Sequence, residues 1–285
     1  MRIALVTCLD LPEPDLDEAP LLAALRAAGH DAQPLAWDDP TAHPAAFDVC
    51  VLRATWNYYH HLDAFASWLA STAATTRLLN PLETVRWNLH KGYLLDLEAS
   101  GIPVVPTALI DRGGETEVVD LLAQRGWDDV VIKPAVSAGS HGTKRFGARE
   151  KPDAQAWLST LLATGDAMVQ RFEPAVEREG ELSIVCIGGE ISHAFEKRPR
   201  FDGDDESVVG RGSLSAAERA FAELVLTAAD RPWLYARVDV FPGDDGGLLL
   251  SELELIEPSL YFHFANGSAG RMVRAIEAHA ASPAG

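Results

Sequence analysis

Two short segments near the C-terminus alternate strictly between apolar and charged residues, as a β-strand with one covered face does. The first, Y-A-R-V-D-V-F, places Arg237 and Asp239 on one face, and the second, L-S-E-L-E-L, places Glu252 and Glu254 together in the same way. The glycine-containing turn at 243–247 between them suits a hairpin. A hairpin symmetric about this turn pairs Asp239 with Glu252 and Arg237 with Glu254, with paired Cβ atoms about 5 Å apart.

Three carboxylates on one face of this hairpin would repel one another, and a single arginine cannot neutralise them. Magnesium prefers oxygen ligands and is commonly held by one or two carboxylates together with the phosphates of a substrate. The hairpin therefore predicts a Mg²⁺ site at Asp239, Glu252 and Glu254. The alternative is a solvated acidic face of the sheet. The aliphatic opposite face and the arginine within the cluster favour the metal.

The first 80 residues predict a small α/β domain, because strand and helix patterns alternate along them. The predicted strands are Arg2–Thr7 and Asp48–Arg53, and the predicted helices are Ala19–Ala28 and His61–Ala70. This order implies a parallel sheet, and the carboxyl ends of parallel strands are favoured places for ligands.

Residues 81–285 predict a second, larger domain. Asn80 is expected to cap a helix that continues to about Ala99, with Glu83 completing a capping box. A lid subdomain is expected at about 103–170. Closely spaced strands after it indicate an antiparallel sheet, and residues 202–212 predict a mobile loop. The chain as a whole is expected to be α+β, with three packed pieces around a cleft.

Two lysines are candidates for binding phosphate. Lys133 ends the predicted strand D-V-V-I-K, beside the loop S-A-G-S-H-G-T at 137–143. Small residues let the backbone N–H groups of such a loop approach phosphate oxygens. Lys91 lies on the predicted helix. Taken alone, the loop is better explained as a flexible connection, and Lys91 as a side chain that extends past apolar neighbours to water. The two best-known phosphate-binding motifs do not occur in the sequence.

The segment V-Q-R-F-E-P at 169–174 ends a predicted strand at a turn, where free backbone groups suit the edge of an adenine ring. Glu181 follows and is a candidate to accept hydrogen bonds from ribose hydroxyls. Neither assignment is specific without the neighbouring motifs.

A substrate site is expected where the first domain meets the second. Arg53 ends a predicted parallel strand and suits a bidentate clamp on a substrate carboxylate, with Trp56 and Asn57 beside it. An interdomain salt bridge of Arg53 is an equally good interpretation. Ser259 directly follows the predicted metal-binding strand, and Lys197 is a further candidate for binding an anion.

Composition excludes several classes of function. The net charge of −18 argues against binding to nucleic acid, which usually needs a basic surface. No run of about 18 apolar residues suggests a membrane span, and the N-terminal segment lacks a signal-peptide cleavage pattern, so a cytoplasmic location is expected.

Cys8, Cys50 and Cys186 are isolated in apolar runs and predict buried reduced thiols. The histidines lack zinc-ligand spacing.

The order of these features resembles the ATP-grasp superfamily over about residues 81–275, with a matching α/β domain before them. The glutathione-synthetase and ribosomal-protein glutamate-ligase branches are similar in layout. The phrases L-E-L-I-E-P-S-L-Y-F, N-P-x-x-x-x-R-W-N-x-x-K and R-x-T-W-N-Y are most similar to the branch that contains the D-cycloserine-forming ATP-grasp enzyme.

This resemblance implies an ATP- and Mg²⁺-dependent ligase and a set of site residues. The implied nucleotide-binding residues are Lys91, Lys133, Ser137, Gly139, Ser140, Gly142, Gln170, Arg171, Phe172, Glu173 and Glu181. Arg237, Lys133 and Ser140 are implied to act on the transferring phosphate, and Asp239, Glu252 and Glu254 to bind magnesium. The superfamily usually ends this motif with E-x-N, so Glu254 stands where asparagine is expected.

The expected reaction joins a carboxylate, activated as an acyl phosphate, to an amine-type nitrogen, with release of ADP and phosphate. The substrate is expected to be small and amino-acid-like. The nitrogen belongs either to a second molecule or to the same one, which would make the enzyme a cycloligase. A non-catalytic ATP-binding module is the third alternative. The resemblance also implies a homodimer.

Overall fold

The computed structural model describes residues 1–198, 207–243 and 246–281. Within this part of the chain the strands form three sheets of four, four and five strands. None of the described helices is both long enough and apolar enough to cross a membrane.

The first sheet is wholly parallel and has the strand order β2-β1-β3-β4. Its strands are β1 (Arg2–Thr7), β2 (Asp31–Ala36), β3 (Val49–Ala54) and β4 (Arg77–Leu79), and its helices are α1 (Glu18–Ala27) and α2 (Leu62–Thr75). The predicted parallel sheet is confirmed. The sequence pattern did not reveal β2, because an edge strand pairs on one side only and tolerates Pro34 and polar residues.

The prediction of one continuous helix from Asn80 to about Ala99 is wrong. Two helices, α3 (Leu82–Leu89) and α4 (Tyr93–Ala99), occupy this region. The backbone is extended at His90, and the N–H of Lys91 donates to the carbonyl of Ala135 at 2.8 Å. Lys91 therefore lies in the break between the two helices.

Asn80 does not cap α3, whose N-cap is Pro81 without a side-chain hydrogen bond. Its amide nitrogen instead donates to the carbonyl oxygens of Tyr235 and Leu255, at 2.9 and 2.7 Å. The prediction of a capping box was wrong because buried backbone groups 155 and 175 residues away use this amide, and sequence pattern cannot reveal such partners.

The second sheet is antiparallel and has the order β5-β8-β6-β7. Its strands are β5 (Thr107–Ile110), β6 (Val130–Pro134), β7 (Lys144–Phe146) and β8 (Ala167–Arg171), and its helices are α5 (Val118–Arg125) and α6 (Lys151–Leu162). Buried side chains of both helices, such as Leu122 and Leu158, pack with Val130 and Val169 of the sheet in one hydrophobic core.

The third sheet is antiparallel and has the order β11-β10-β9-β12-β13. The remaining elements are α7 (Ala175–Glu179), β9 (Glu181–Ile187), β10 (Glu190–Arg198), β11 (Ser207–Arg211), α8 (Ala216–Ala229), β12 (Tyr235–Pro242), β13 (Leu248–Glu254) and α9 (Ser268–Ala281). Residues 202–206 of the predicted mobile loop lie outside the described residues. The prediction is wrong for Ser207–Arg211, because this stretch pairs with β10.

The predicted pairing of the carboxylate hairpin is confirmed, because Asp239 pairs with Glu252 and Arg237 with Glu254. The register shifts after Asp239, which marks a β-bulge. Residues 244 and 245 of the turn lie outside the described residues, while the N–H of Gly243 donates to the carbonyl of Gly247 at 2.8 Å.

All three cysteines are free and buried, which confirms the prediction. Burial raises the pKa of Cys50 and of Cys186 to about 12, so both thiols stay protonated at neutral pH.

Candidate active site

A cavity of about 360 Å³ lies between strands of the second and third sheets and loops that follow strands of the first. Strands β6, β8, β9, β10, β12 and β13 contribute to its wall, together with the break at Lys91, the loop after β6 and segments 56–59 and 256–261. Most of the residues expected to form a site therefore surround one space.

The Asp239 carboxylate lies beneath the cavity wall, where it is 0% exposed and bound by two cations. Arg237 donates from Nε to Oδ1 and from Nη2 to Oδ2, both at 2.9 Å, and the Lys197 ammonium lies 2.8 Å from Oδ2. Arg237 also pairs with Glu254, and Lys197 lies 2.9 Å from Glu181. Alternating charges on neighbouring strands therefore offset the cost of burying each one.

Because their surroundings differ, the carboxyl groups of Asp239, Glu252 and Glu254 have pKa values shifted in different directions. Burial raises the pKa of Glu254 to about 7, and the nearby Glu252 and Asp239 add to the rise while Arg237 opposes it. Burial also acts on Glu252, but Lys91 and Lys133 outweigh it and lower its pKa to about 2. Arg237 and Lys197 likewise outweigh burial at Asp239 and hold its pKa below the ordinary value.

The two candidate phosphate-binding lysines have different surroundings. The Lys91 ammonium pairs with Glu252 and donates to the carbonyl of Ser137 at 3.3 Å. Lys133 lines the cavity, but no hydrogen bond or ion pair joins its ammonium to any residue in the described part of the chain. Burial lowers the pKa of Lys133. An incoming anion would supply the partner that this ammonium lacks.

An apolar pocket forms the side of the cavity next to the predicted adenine-binding segment. Val105, Phe172, Val176 and Phe241 form one hydrophobic cluster, and all four line the cavity. A flat aromatic base suits such a surface.

The predicted nucleotide-binding residues of β8 also lie at this pocket. Gln170, Arg171 and Glu173 line it. The Gln170 amide donates to Thr107 at 2.9 Å, and Arg171 pairs with Glu173 at 2.5 Å. Glu181 lines the cavity as well, with its carboxylate bonded to Ser251 and Lys197.

The loop after β6 brings Ser137, Gly139 and Ser140 to the cavity, but Gly142 does not line it. Gly142 has a φ of +72°, and a Cβ at this position would lie 2.9 Å from the ring of Pro134. Its carbonyl accepts from the Trp157 indole at 3.1 Å. Gly142 thus holds the loop against the second sheet.

Trp56, Lys197 and Ser259 line the cavity as expected for the substrate side, whereas Arg53 and Asn57 do not. Arg53 is 2% exposed and donates to the carbonyl of Pro258 at 2.9 Å, with Asp17 3.4 Å away. It therefore joins two parts of the chain, which agrees with the salt-bridge interpretation of Arg53 and does not support the carboxylate clamp.

The side chain of Asn57 forms hydrogen bonds with residues that directly follow strand β2 of the first sheet. It accepts from the Trp37 indole at 2.7 Å and donates to Asp38 at 2.6 Å. Its side chain therefore supports the turn after β3, and the expected contact with substrate is not supported.

Two further cavity residues, Tyr58 and Glu257, were not identified from the sequence. Tyr58 lies in the phrase R-x-T-W-N-Y and Glu257 in the phrase L-E-L-I-E-P-S-L-Y-F. These two phrases are among those that resemble one branch of the ATP-grasp superfamily. Burial raises the pKa of Glu257 to about 8, and Glu254 adds to the rise.

Among the described residues, no group of three or more His, Cys, Asp or Glu side chains is arranged to hold a metal ion by itself. Glu252 and Glu254 line the cavity, whereas Asp239 does not. A metal ion at Asp239 would have to replace the Lys197 ammonium. The two carboxylates that line the cavity, Glu252 and Glu254, fit a metal that takes part of its ligands from substrate phosphates, as Mg²⁺ commonly does.

Comparison with known proteins finds relatives that match nearly the whole length of the chain. A family model described as "D-cycloserine synthetase DcsG, N-terminal domain" matches residues 3–80. The chain is 33% identical over 291 residues to the cycloserine biosynthesis protein DcsG of Streptomyces lavendulae, which covers 96% of this chain and 97% of that protein. The crystal structure of D-cycloserine synthetase DcsG has a TM-score of 0.90 and 31% identity, covering 98% of this chain and 100% of that one.

Two other solved structures share the fold at lower identity. D-alanine–D-alanine ligase from Bacillus anthracis complexed with ATP has a TM-score of 0.70 and 16% identity, covering 98% of this chain and 97% of that one. The ATP-grasp ligase PsnB, complexed with Mg, ADP and a phosphomimetic variant of its minimal precursor, has a TM-score of 0.63 and 17% identity, covering 97% of both chains. The ATP-grasp fold expected from the sequence is therefore confirmed.

Proposed function

Because this chain belongs to the family of the cycloserine biosynthesis protein DcsG and is an ATP-grasp ligase that forms carbon–nitrogen bonds, we propose that its cavity binds Mg²⁺ and ATP together with a small amino-acid-like substrate. The observation that carries the proposal is the position of Lys133. Its ammonium, which has no ion pair or hydrogen bond among the described residues, lines the same cavity as Glu252 and Glu254.

In this proposal the adenine ring lies in the apolar pocket around Phe172, and Lys133 and Lys91 bind the phosphates. Glu252 and Glu254 are the first candidates for metal ligands, and a role for Asp239 stays a prediction. When bound, magnesium neutralises charge on the phosphates. Ser137, Gly139 and Ser140 cover them from the loop after β6.

Phosphoryl transfer depends chiefly on positioning and on charge neutralisation. An oxygen of the substrate carboxylate forms a bond to the γ-phosphorus as the bond to ADP breaks, which yields an acyl phosphate. The nitrogen then attacks the acyl carbon and loses a proton, and phosphate leaves with the electron pair of its bond. Arg237, held in place by Asp239, is positioned to stabilise the negative charge that develops.

A second candidate places the attacking nitrogen on the same molecule as the carboxylate. The likeness to D-cycloserine synthetase over nearly the whole chain favours this cyclising reaction. Opening the ring amide of D-cycloserine gives β-aminooxy-D-alanine, which carries both reacting groups. A homodimer and a cytoplasmic location stay predictions.

The test supplies Mg²⁺ and ATP with β-aminooxy-D-alanine alone, and separately with a pool of amino acids and dipeptides. We expect release of ADP and phosphate, with products identified by mass spectrometry. A cyclised product without a second substrate supports the cycloligase, and a condensed product supports ligation between molecules. Binding of ATP without turnover on any of these acids would contradict both and favour a non-catalytic module.

A further inference from the structure

Two sequence segments that the proposed mechanism leaves largely unused meet at the cavity wall. They are R-A-T-W-N-Y at 53–58 and E-P-S-L-Y-F at 257–262. The indole Nε1 of Trp56 donates to the carbonyl of Glu257 at 2.9 Å. Trp56, Tyr58, Glu257 and Ser259 all line the cavity. This contact fixes the backbone of Glu257 from across the domain junction.

The side chain of Glu257 is fixed as well. The Tyr58 hydroxyl lies close to this carboxyl and, against the larger effect of burial, lowers its pKa. The Tyr58 ring is 3% exposed and stacks on Phe65, with ring centroids 5.0 Å apart, so it cannot move easily. Glu257 therefore presents its carboxyl, in a residue only 9% exposed, at one defined place in the cavity wall.

Unlike its neighbours, the carboxyl of Glu257 forms no ion pair with a described residue, and the Lys91 ammonium acts on it only from a longer distance. Glu252 pairs with Lys91, and Glu254 with Arg237. In the part of the chain that the structure describes, no ion pair reaches Glu257. A buried carboxyl in this position is costly to ionise unless a positive group arrives. Its elevated pKa in the free protein agrees with this arrangement.

We propose that Glu257, positioned by Trp56 and Tyr58, binds the amino group of the amino-acid-like substrate and thereby selects for substrates that carry a cationic nitrogen. This inference rests on the proposed function, because it concerns the substrate of the same cavity. Arg237 donates to the carbonyl of Ser259 at 3.2 Å, two residues beyond Glu257. The reacting carboxylate and the amino group would thus contact neighbouring but distinct positions.

The experiment measures binding and needs no turnover. Two acids are titrated calorimetrically into protein saturated with Mg²⁺ and ADP. One is β-aminooxy-D-alanine, and the other is 3-(aminooxy)propanoic acid, which lacks only the α-amino group. The proteins are wild type, Glu257→Gln, Tyr58→Phe and the control Glu115→Gln, an exposed carboxylate away from the cavity.

We expect the wild type and Glu115→Gln to prefer the acid with the α-amino group by about 10- to 100-fold, as expected for a hydrogen bond to a charged group. Glu257→Gln should lose this preference while it binds ADP as the wild type does, and Tyr58→Phe should reduce the preference in part. Wild type that binds both acids equally, or neither, would contradict the inference, as would a Glu257→Gln protein that keeps the preference. Amine-selective binding without product formation would contradict the proposed function alone.

Discussion

Lys133 and Glu257 face one cavity, would carry opposite charges when ionised, and have no ion pair among the described residues. Burial acts against the charged form of each, so it lowers the pKa of Lys133 and raises that of Glu257. Each residue costs stability in the free protein and gains a partner when a ligand binds. Such an exchange of stability for function is common at active sites.

Replacing Lys133 with methionine should separate these two effects. We expect Lys133→Met to lower kcat/KM at least about 100-fold, because one charged partner of the phosphates is lost. The free protein should unfold at a higher temperature than wild type, because a partly buried charge that has no ion pair among the described residues is removed. Lys151→Met, which lies on α6 away from the cavity, is the matched control. Unchanged turnover would contradict the role of Lys133.

The free protein should lose stability through Glu257 as pH rises. The folded state keeps this carboxyl protonated up to about pH 8, whereas its ordinary pKa is 4.5. Between these values the folded state binds more protons than the unfolded state, so the free energy of unfolding falls with rising pH. Glu257→Gln should therefore match the wild type near pH 4 and exceed it at pH 8 to 9. Melting curves at several pH values without nucleotide check this, and parallel curves for both proteins would contradict it.

At the scale of elements, Asp17 joins the start of α1 to segment 260–262, which follows the cavity residues Glu257 and Ser259. Its carboxylate accepts from the backbone N–H groups of Leu260 at 2.6 Å, Tyr261 at 3.0 Å and Phe262 at 2.8 Å. Tyr261 has a φ of +49°, which is unusual for a residue with a side chain. The carboxylate thus stabilises a turn that carries cavity residues.

Asp17→Ala should lower the free energy of unfolding by about 3 kcal/mol, because it leaves three backbone N–H groups without their acceptor and removes the carboxylate beside the buried Arg53. Urea denaturation measures this change. Asp63→Ala removes an exposed aspartate from the first turn of α2 and should have little effect. Equal stability of the two variants would show that Asp17 does not hold the segment.

Sequence predicted those elements whose determinants are local. The pairing of Asp239 with Glu252 follows from alternation of period two and from a short turn, so it could be read before the structure was known. The break at Lys91 depends on the carbonyl of Ala135, and Asn80 depends on Tyr235 and Leu255. Such contacts across the fold override local helical preference.

At the scale of the whole molecule, strands of the second and third sheets and loops that follow strands of the first sheet line one cavity, so the site exists only when all three parts are assembled. This explains which site residues the sequence could identify. Lys133, Glu252 and Glu254 lie on regular strands and were placed correctly at the cavity. For Arg53 the sequence left a substrate clamp and a salt bridge equally open, because only the folded chain brings Asp17 and the carbonyl of Pro258 beside it. Glu257 escaped notice because its partner Tyr58 is about 200 residues away.

Ligand binding should stabilise the assembled molecule as a unit. ADP and Mg²⁺ at about 100 times the dissociation constant should raise the free energy of unfolding by about 2.7 kcal/mol. Removal of Mg²⁺ with a chelator should lower this gain, because phosphate charge then faces Glu252 and Glu254 without a cation between them. Thermal melts with and without chelator test this, and Lys133→Met should show a smaller gain. A gain that the chelator leaves unchanged would argue against the metal.

The packing of α9 has a consequence for synthesis. Met272 and Ile276 of α9 share one hydrophobic core with Leu21 and Leu25 of α1 and with the first sheet. A nascent chain on the ribosome therefore exposes an apolar face of its earliest sheet until α9 has emerged. Stalled translation products that end before residue 268 should accordingly be held by chaperones, although the strands of that sheet were made first.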